Sequence, residues 1–140
     1  MSAAETSSNK NIMLIDDSNI FLTTLTRLLE NLGYTVSVFT KPGEALKSFK
    51  DNDYFVVICD LHMGKVNGYQ LLHLFLQEKP EQVCCLLTSA ENNELLLKKA
   101  IRLENVRGLI KKPVCVDKLS NMLNEIRALP KVEQSKTHIV

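Results

Sequence analysis

Three aspartates, a threonine and a lysine stand where apolar runs end, and residues of these types could together accept a phosphoryl group. Asn11-Ile12-Met13-Leu14-Ile15 runs straight into Asp16 and Asp17, with Ser18 next. Tyr54 to Cys59 ends in Asp60, Gln82 to Leu87 ends in Thr88 and Ser89, and Val106 to Lys111 is followed by Lys112 and Pro113. Like charges held side by side are costly unless a cation joins them. Convergent carboxylates therefore call for a hard divalent cation with oxygen ligands. Mg2+ (or Mn2+) suits, because such an ion takes one or two carboxylates, keeps several waters and accepts a phosphate. A cation, a free carboxylate, a hydroxyl and an ammonium make a phosphoryl-transfer site, where catalysis is mainly positioning and charge neutralisation. Asp60 can be the nucleophile that forms an acyl phosphate. Thr88 and Lys112 can each hold one phosphoryl oxygen.

Convergence depends on the elements between these positions. After Ser18, which can cap a helix as can Asp17, apolar residues at Phe21, Leu25, Leu28 and Leu32 share one helical face, and Gly33 follows where a helix-ending glycine belongs. Tyr34 to Thr40 alternates as a second strand. Thr40 can cap the next helix, with Pro42 in its first turn and Ala45, Leu46 and Phe49 on its buried side. Tyr54 to Cys59 forms the third strand. A helix over Gly68 to Glu78 buries Leu71, Leu72 and Phe75. The fourth strand is followed by a helix capped at Asn92 or Asn93 and reaching about Glu104. The last helix covers Val116 to Ala128, with Val116, Leu119, Leu123 and Ile126 facing inward and Pro130 ending it. Strict alternation of strand and helix predicts an α/β fold with a parallel sheet and helices on both faces. Right-handed crossovers favour the flavodoxin-like, doubly wound five-stranded order 2-1-3-4-5. All strand ends then share one edge, and the first and third strands, with Asp16, Asp17 and Asp60, are neighbours.

The chain has 140 residues, a formal net charge of +1 and no basic run, so it carries no electrostatic footprint for nucleic acid or a membrane surface. Residues 1–10 read as a disordered lead-in, 11–129 as one domain and 130–140 as a flexible tail. No signal-peptide pattern or membrane-length apolar run is present. The four cysteines (Cys59, Cys84, Cys85 and Cys115) form no CxxC pair and read as free thiols of a cytoplasmic protein.

Ile12-Met13-Leu14-Ile15-Asp16-Asp17-Ser18, Asp60-Leu61-His62-Met63 with Gly68, Leu87-Thr88-Ser89-Ala90 and Lys112-Pro113 resemble the receiver domain of bacterial two-component response regulators. The resemblance covers about Asn11 to Ala128, with intervals of 43, 28 and 24 residues from Asp17 through Asp60 and Thr88 to Lys112. It implies that Asp60 takes a phosphoryl group from a phosphohistidine on a sensor histidine kinase or a histidine phosphotransfer protein. It implies that Asp17, Asp60 and the backbone carbonyl of His62 bind Mg2+ directly, with Asp16 acting through water. Thr88 would be the switch hydroxyl, Lys112 rather than Lys111 would contact the phosphoryl oxygens, and the Lys112-Pro113 bond would be cis. The output face would be the fourth helix, fifth strand and last helix, where Leu95, Leu96 and Leu97 serve either as ordinary core or as a docking surface. The chain departs from the family pattern in three respects. Gly64 replaces a common proline, Leu109 replaces a common aromatic three residues before Lys112, and His62 and Ala90 occupy positions that could gate water.

The expected function is that of a stand-alone signalling module that is switched by phosphorylation, works through protein contacts and is not a turnover enzyme. Two other classes stay open. A haloacid-dehalogenase-type phosphatase also uses an aspartate after a strand, but it wants a second aspartate two residues on, where this chain has His62. A degenerate receiver would bind partners without phosphate, although here every acidic, hydroxyl and lysine position is filled. His62 could instead be a ligand or base through its ring, while His73 and His138 show no partner in the sequence.

Overall fold

Alternate residues of each strand point to opposite faces, so an apolar run without polar interruption must be covered on both sides. The computed structural model, which describes residues 9–89, 94–128 and 138–139, meets this demand. Its elements are β1 (Asn11–Ile15), α1 (Asn19–Asn31), β2 (Thr35–Phe39), α2 (Pro42–Asp51), β3 (Val56–Asp60), α3 (Gly68–Glu78), β4 (Cys84–Thr88), α4 (Glu94–Ala100), β5 (Val106–Lys111), α5 (Val116–Ala128) and β6 (His138–Ile139). Every pairing is parallel, and the strands lie in the order 2-1-3-4-5-6. The expected five-stranded order is present. The short β6 adds a sixth strand beside β5, pairing His138 with Gly108 and Ile139 with Leu109, where the sequence suggested only a tail.

The alternation on β1 divides the core. Ile12 and Leu14 face a cluster with Leu22, Leu25 and Leu29 of α1 and Leu119, Met122 and Leu123 of α5. Met13 and Ile15 face the other cluster, where Phe49 of α2 stacks on Phe75 of α3 with ring centroids 4.0 Å apart. Cys59, Cys84 and Cys85 are buried and Cys115 is exposed, all as free thiols.

Several local expectations need correction. In α1, Leu22 and Leu29 are buried with Leu25, while Phe21, Leu28 and Leu32 are only partly covered. In α5, Met122 joins Leu119, Leu123 and Ile126, and Val116 is exposed. Lys41, not Thr40, precedes α2 at the cap position, and no side chain caps it; Pro42 then needs no N–H partner. The fourth helix ends at Ala100, not near Glu104, because the chain turns over 101–105 before β5. Leu96, Leu97, Ile101 and Leu103 pack against the core, so Leu95, 75% exposed, is the member of that run left facing outward. His73 does have a neighbour, the Tyr69 ring at 6.2 Å. The lead-in over residues 1–8, Ala90, the cap at Asn92 or Asn93, Pro130 and most of the 130–140 tail lie outside the described residues, as does the His138 side chain.

At the amino edge of the sheet, Arg127 of α5 closes the structure against β2 and β3. Its guanidinium lies 3.8 Å from the Phe55 ring centroid and 5.7 Å from that of Tyr34. Its Nη2 donates to the Asn9 carbonyl at 2.9 Å. Among the described residues, no helix is long and apolar enough to cross a membrane.

Candidate functional site

Every parallel strand delivers its last residue to the same edge, opposite Arg127. Asp16 follows β1, and its N–H donates to the Phe39 carbonyl at 3.2 Å, which ties the acid to the end of β2. Ser18 caps α1, its Oγ accepting from the Phe21 N–H at 3.3 Å. Ser18 also donates its own N–H to Asp16 Oδ1 at 3.0 Å, so Asp16 is fixed by the turn that starts the helix.

Asp60 is the last residue of β3, and the next residue, Leu61, donates to the Leu87 carbonyl of β4 at 2.9 Å. The loop then returns so closely that Gly68 N–H meets the Leu61 carbonyl at 2.9 Å. A Cβ at Gly68 would collide with the Asp60 carbonyl oxygen, so a side chain at this position cannot be accommodated without a backbone shift. Within the loop Gly64 has φ +35°, a conformation closed to proline, whose ring fixes φ near −65°. The departure from the family pattern at this position thus matches the path of the loop.

The carboxylates of Asp16, Asp17 and Asp60 offer oxygens all within 4.8 Å of one another; Asp16 and Asp60 are buried and Asp17 is exposed. Lys112 reaches between them, its Nζ 3.0 Å from Asp16 Oδ2 and 3.3 Å from Asp60 Oδ1. The Lys112-Pro113 bond is cis. Lys111 is exposed at the end of β5. Thr88 is buried at the end of β4, one residue past the Leu87 that pairs with Asp60. Its hydroxyl donates to the Ser89 carbonyl at 3.4 Å. Sequence reasoning therefore named residues that the fold does bring to one edge. His62 is exposed in the loop after Asp60, and its ring is not in the acidic group.

One contact escaped the sequence reading. Lys112 Nζ lies 4.1 Å from the centroid of the Phe21 ring. Phe21 was legible only as part of a helix face, and no spacing rule connects it with a lysine 91 positions later.

The charges explain the protonation behaviour. Burial raises the Asp60 carboxyl to about 6, and neighbouring Asp16 pushes the same way; Lys112 opposes them, and Asp17 adds a smaller push upward. Burial lowers the Lys112 ammonium, but its contacts with Asp16 and Asp60 outweigh that and hold it above the ordinary lysine range. The Cys59 thiol, one residue before Asp60, is held far up by burial and by both acids, so it is an inert core thiol and not a nucleophile. Three carboxylates share one ammonium at this edge. Hard oxygen donors at this spacing fit a small divalent cation that keeps part of its water shell.

A family model described as the response regulator receiver domain matches residues 12–124. Regulator of RpoS from Escherichia coli strain K12 is 30% identical over 105 residues, which cover 75% of this chain and 31% of that protein. The photosynthetic apparatus regulatory protein RegA of Rhodobacter capsulatus is 30% identical over 87 residues, covering 61% of this chain and 46% of that protein. This chain thus spans less than a third of the first relative and less than half of the second. Among solved structures, a response regulator receiver domain protein from Clostridium thermocellum aligns with TM-score 0.72 and 28% identity, over 84% of this chain and 93% of that one. A response regulator protein from Burkholderia pseudomallei, solved with a phosphorylated aspartic acid, calcium ion and citrate, aligns with TM-score 0.72 and 27% identity, over 86% of this chain and 72% of that one.

Proposed function

This chain belongs to the response regulator receiver domain family, and on that premise we propose that it is a phosphorylation-switched signalling module whose acceptor is Asp60. The observation that carries the reading is the buried Asp60 carboxylate, grouped with Asp16 and Asp17 and touched by Lys112 at 3.3 Å. The receiver unit is residues 11–129. The donor is a phosphohistidine on a sensor histidine kinase or histidine phosphotransfer protein. An Asp60 carboxylate oxygen attacks phosphorus, the P–N bond breaks, and its electron pair stays on the imidazole nitrogen. At neutral pH Asp60, with its pKa near 6, is mostly ionised and available for attack.

Asp17, Asp60 and the His62 carbonyl would hold Mg2+ or Mn2+, with Asp16 acting through water. When bound, the cation neutralises charge on the phosphoryl oxygens. Lys112 contacts one of those oxygens, and Thr88 turns its hydroxyl from the Ser89 carbonyl towards another. The buried free cysteines suit a reducing compartment, so the proposed location is the cytoplasm. The signal leaves through a protein partner at the α4, β5 and α5 face, and neither nucleic acid nor membrane is a target of this domain. Each chain takes up one phosphoryl group and is not a turnover phosphatase.

The test is incubation of the full chain with acetyl phosphate and Mg2+, read by intact mass. A gain of about 80 Da, one phosphoryl group, is expected for the wild type and is lost in Asp60→Asn. An adduct that survives that substitution unchanged sinks the assignment. Steady release of phosphate from a phosphomonoester would point instead to the phosphatase class.

A further inference from the structure

Around Lys112 four contacts close into a ring. Asp16 Oδ1 accepts from the Ser18 N–H at 3.0 Å. Ser18 Oγ accepts from the Phe21 N–H at 3.3 Å. The Phe21 ring centroid lies 4.1 Å from Lys112 Nζ. Lys112 donates back to Asp16 Oδ2 at 3.0 Å. The cap that starts α1 thus fixes both the acid and the aromatic ring that meet the same ammonium.

The ring contact differs in kind from the two carboxylate contacts. A divalent cation held by Asp60 directly and by Asp16 through water would compete with Lys112 for both carboxylates, because all of its ligands are hard oxygens. An aromatic face attracts the ammonium through its quadrupole and offers the divalent cation no oxygen to coordinate. A flexible four-carbon side chain that lost both carboxylates would otherwise have little to hold it in place. We infer that Phe21 is the positioning residue for Lys112, its ring keeping the ammonium beside Asp60 when the carboxylates turn to a divalent cation. The inference rests on the proposed role of Lys112 at the phosphoryl oxygen. It also gives the site an aromatic contact from α1, while Leu109 stands in β5 where the family commonly has an aromatic.

Phe21 also packs against the core cluster of α1 and α5. Leucine preserves an apolar side chain there but has no π face, and tyrosine keeps the face, so the two substitutions separate packing from positioning. The full chain is assayed as wild type, Phe21→Leu and Phe21→Tyr, each also in a Lys112→Gln background. Readouts are the initial rate of Asp60 phosphorylation by acetyl phosphate, the Mg2+ affinity and the thermal midpoint. Phe21→Leu is expected to slow phosphorylation about five- to tenfold with Mg2+ affinity within about twofold of wild type, and Phe21→Tyr to restore the rate. In the Lys112→Gln background Phe21→Leu is expected to change nothing further. An equal loss in both backgrounds, or no loss in either, overturns the role of Phe21. A second readout needs no phosphorylation. An NMR cross-relaxation signal between the Phe21 ring protons and the Lys112 Hε protons is expected without metal and at saturating Mg2+. Its absence, or its disappearance with Mg2+, overturns the inference. A wild-type chain that takes no phosphoryl group overturns the underlying reading, whatever the substitutions do.

Discussion

Asp60 is a carboxylate held against its own charge. Burial and Asp16 lift it from 3.8 to about 6 despite Lys112. A raised carboxyl stabilises the fold while it is protonated, so its contribution is complete below about pH 4 and is lost as pH rises through 6. In EDTA, the wild type should therefore lose stability relative to Asp60→Asn between about pH 4 and about pH 6. The expected change is on the order of 1–2 kcal/mol, since solvent around the exposed Asp17 screens part of the effect. Urea unfolding of both proteins across that range measures it, and a pH-independent gap would refute the electrostatic account. Each acid and Lys112 alone could be a helix cap or a solvated charge; they were legible because, with Thr88, they fall together at the ends of four apolar strands that share one edge. Phe21 was not legible as a partner of Lys112, since a phenylalanine in an amphipathic helix looks like core, and its second contact exists only in three dimensions.

Element by element, spacing revealed which segments are helices and strands, but not always which side chains they bury. Leu28 and Leu29 are adjacent, and periodicity alone does not say which one turns inward; packing against β1 and α5 chooses Leu29. Met122 was passed over because it sits beside Leu123, although both reach the core. Strand β6 pairs only two residues, too few to show an alternation. Gly68 was legible as a motif residue and acquires its reason from the fold, since its position leaves no room beside the Asp60 backbone. Gly68→Ala should therefore push α3 away from the end of β3, at a cost of about 1–3 kcal/mol. It should also weaken Mg2+ binding, because Asp60 moves with that backbone. Urea midpoints and a Mg2+ titration check both effects; an alanine chain as stable as wild type would mean that α3 can yield freely.

For the molecule as a whole, the sheet gathers its acids at one edge and its Arg127 stack at the other. Repulsion at the acidic edge is a built-in cost that a bound cation removes. Binding to the folded state alone stabilises it by about 2.7 kcal/mol at a hundred times the dissociation constant. For a domain of this size, saturating Mg2+ should raise the thermal midpoint by roughly 10 °C. EDTA should reverse the shift, and Asp60→Asn should reduce it strongly. A midpoint indifferent to Mg2+ in the wild type would contradict the cation reading. The fold class and the shared edge were legible from alternation and from where the charges fall. The Arg127 closure was not, because it joins Asn9, Tyr34, Phe55 and α5, segments that no local pattern relates.

That closure also determines what light can report. The chain has no tryptophan and three tyrosines. Tyr34 belongs to the Arg127 stack, and Tyr54, bonded to Ser48 Oγ at 2.6 Å, also precedes a strand at the amino edge. Tyr69 alone stands on the first turn of α3, beside the acidic edge. Intrinsic emission is therefore dominated by chromophores remote from Asp60, and phosphorylation should be nearly silent in it. A chain carrying Tyr34→Phe and Tyr54→Phe would keep both rings and leave Tyr69 as its single optical witness on the reactive side.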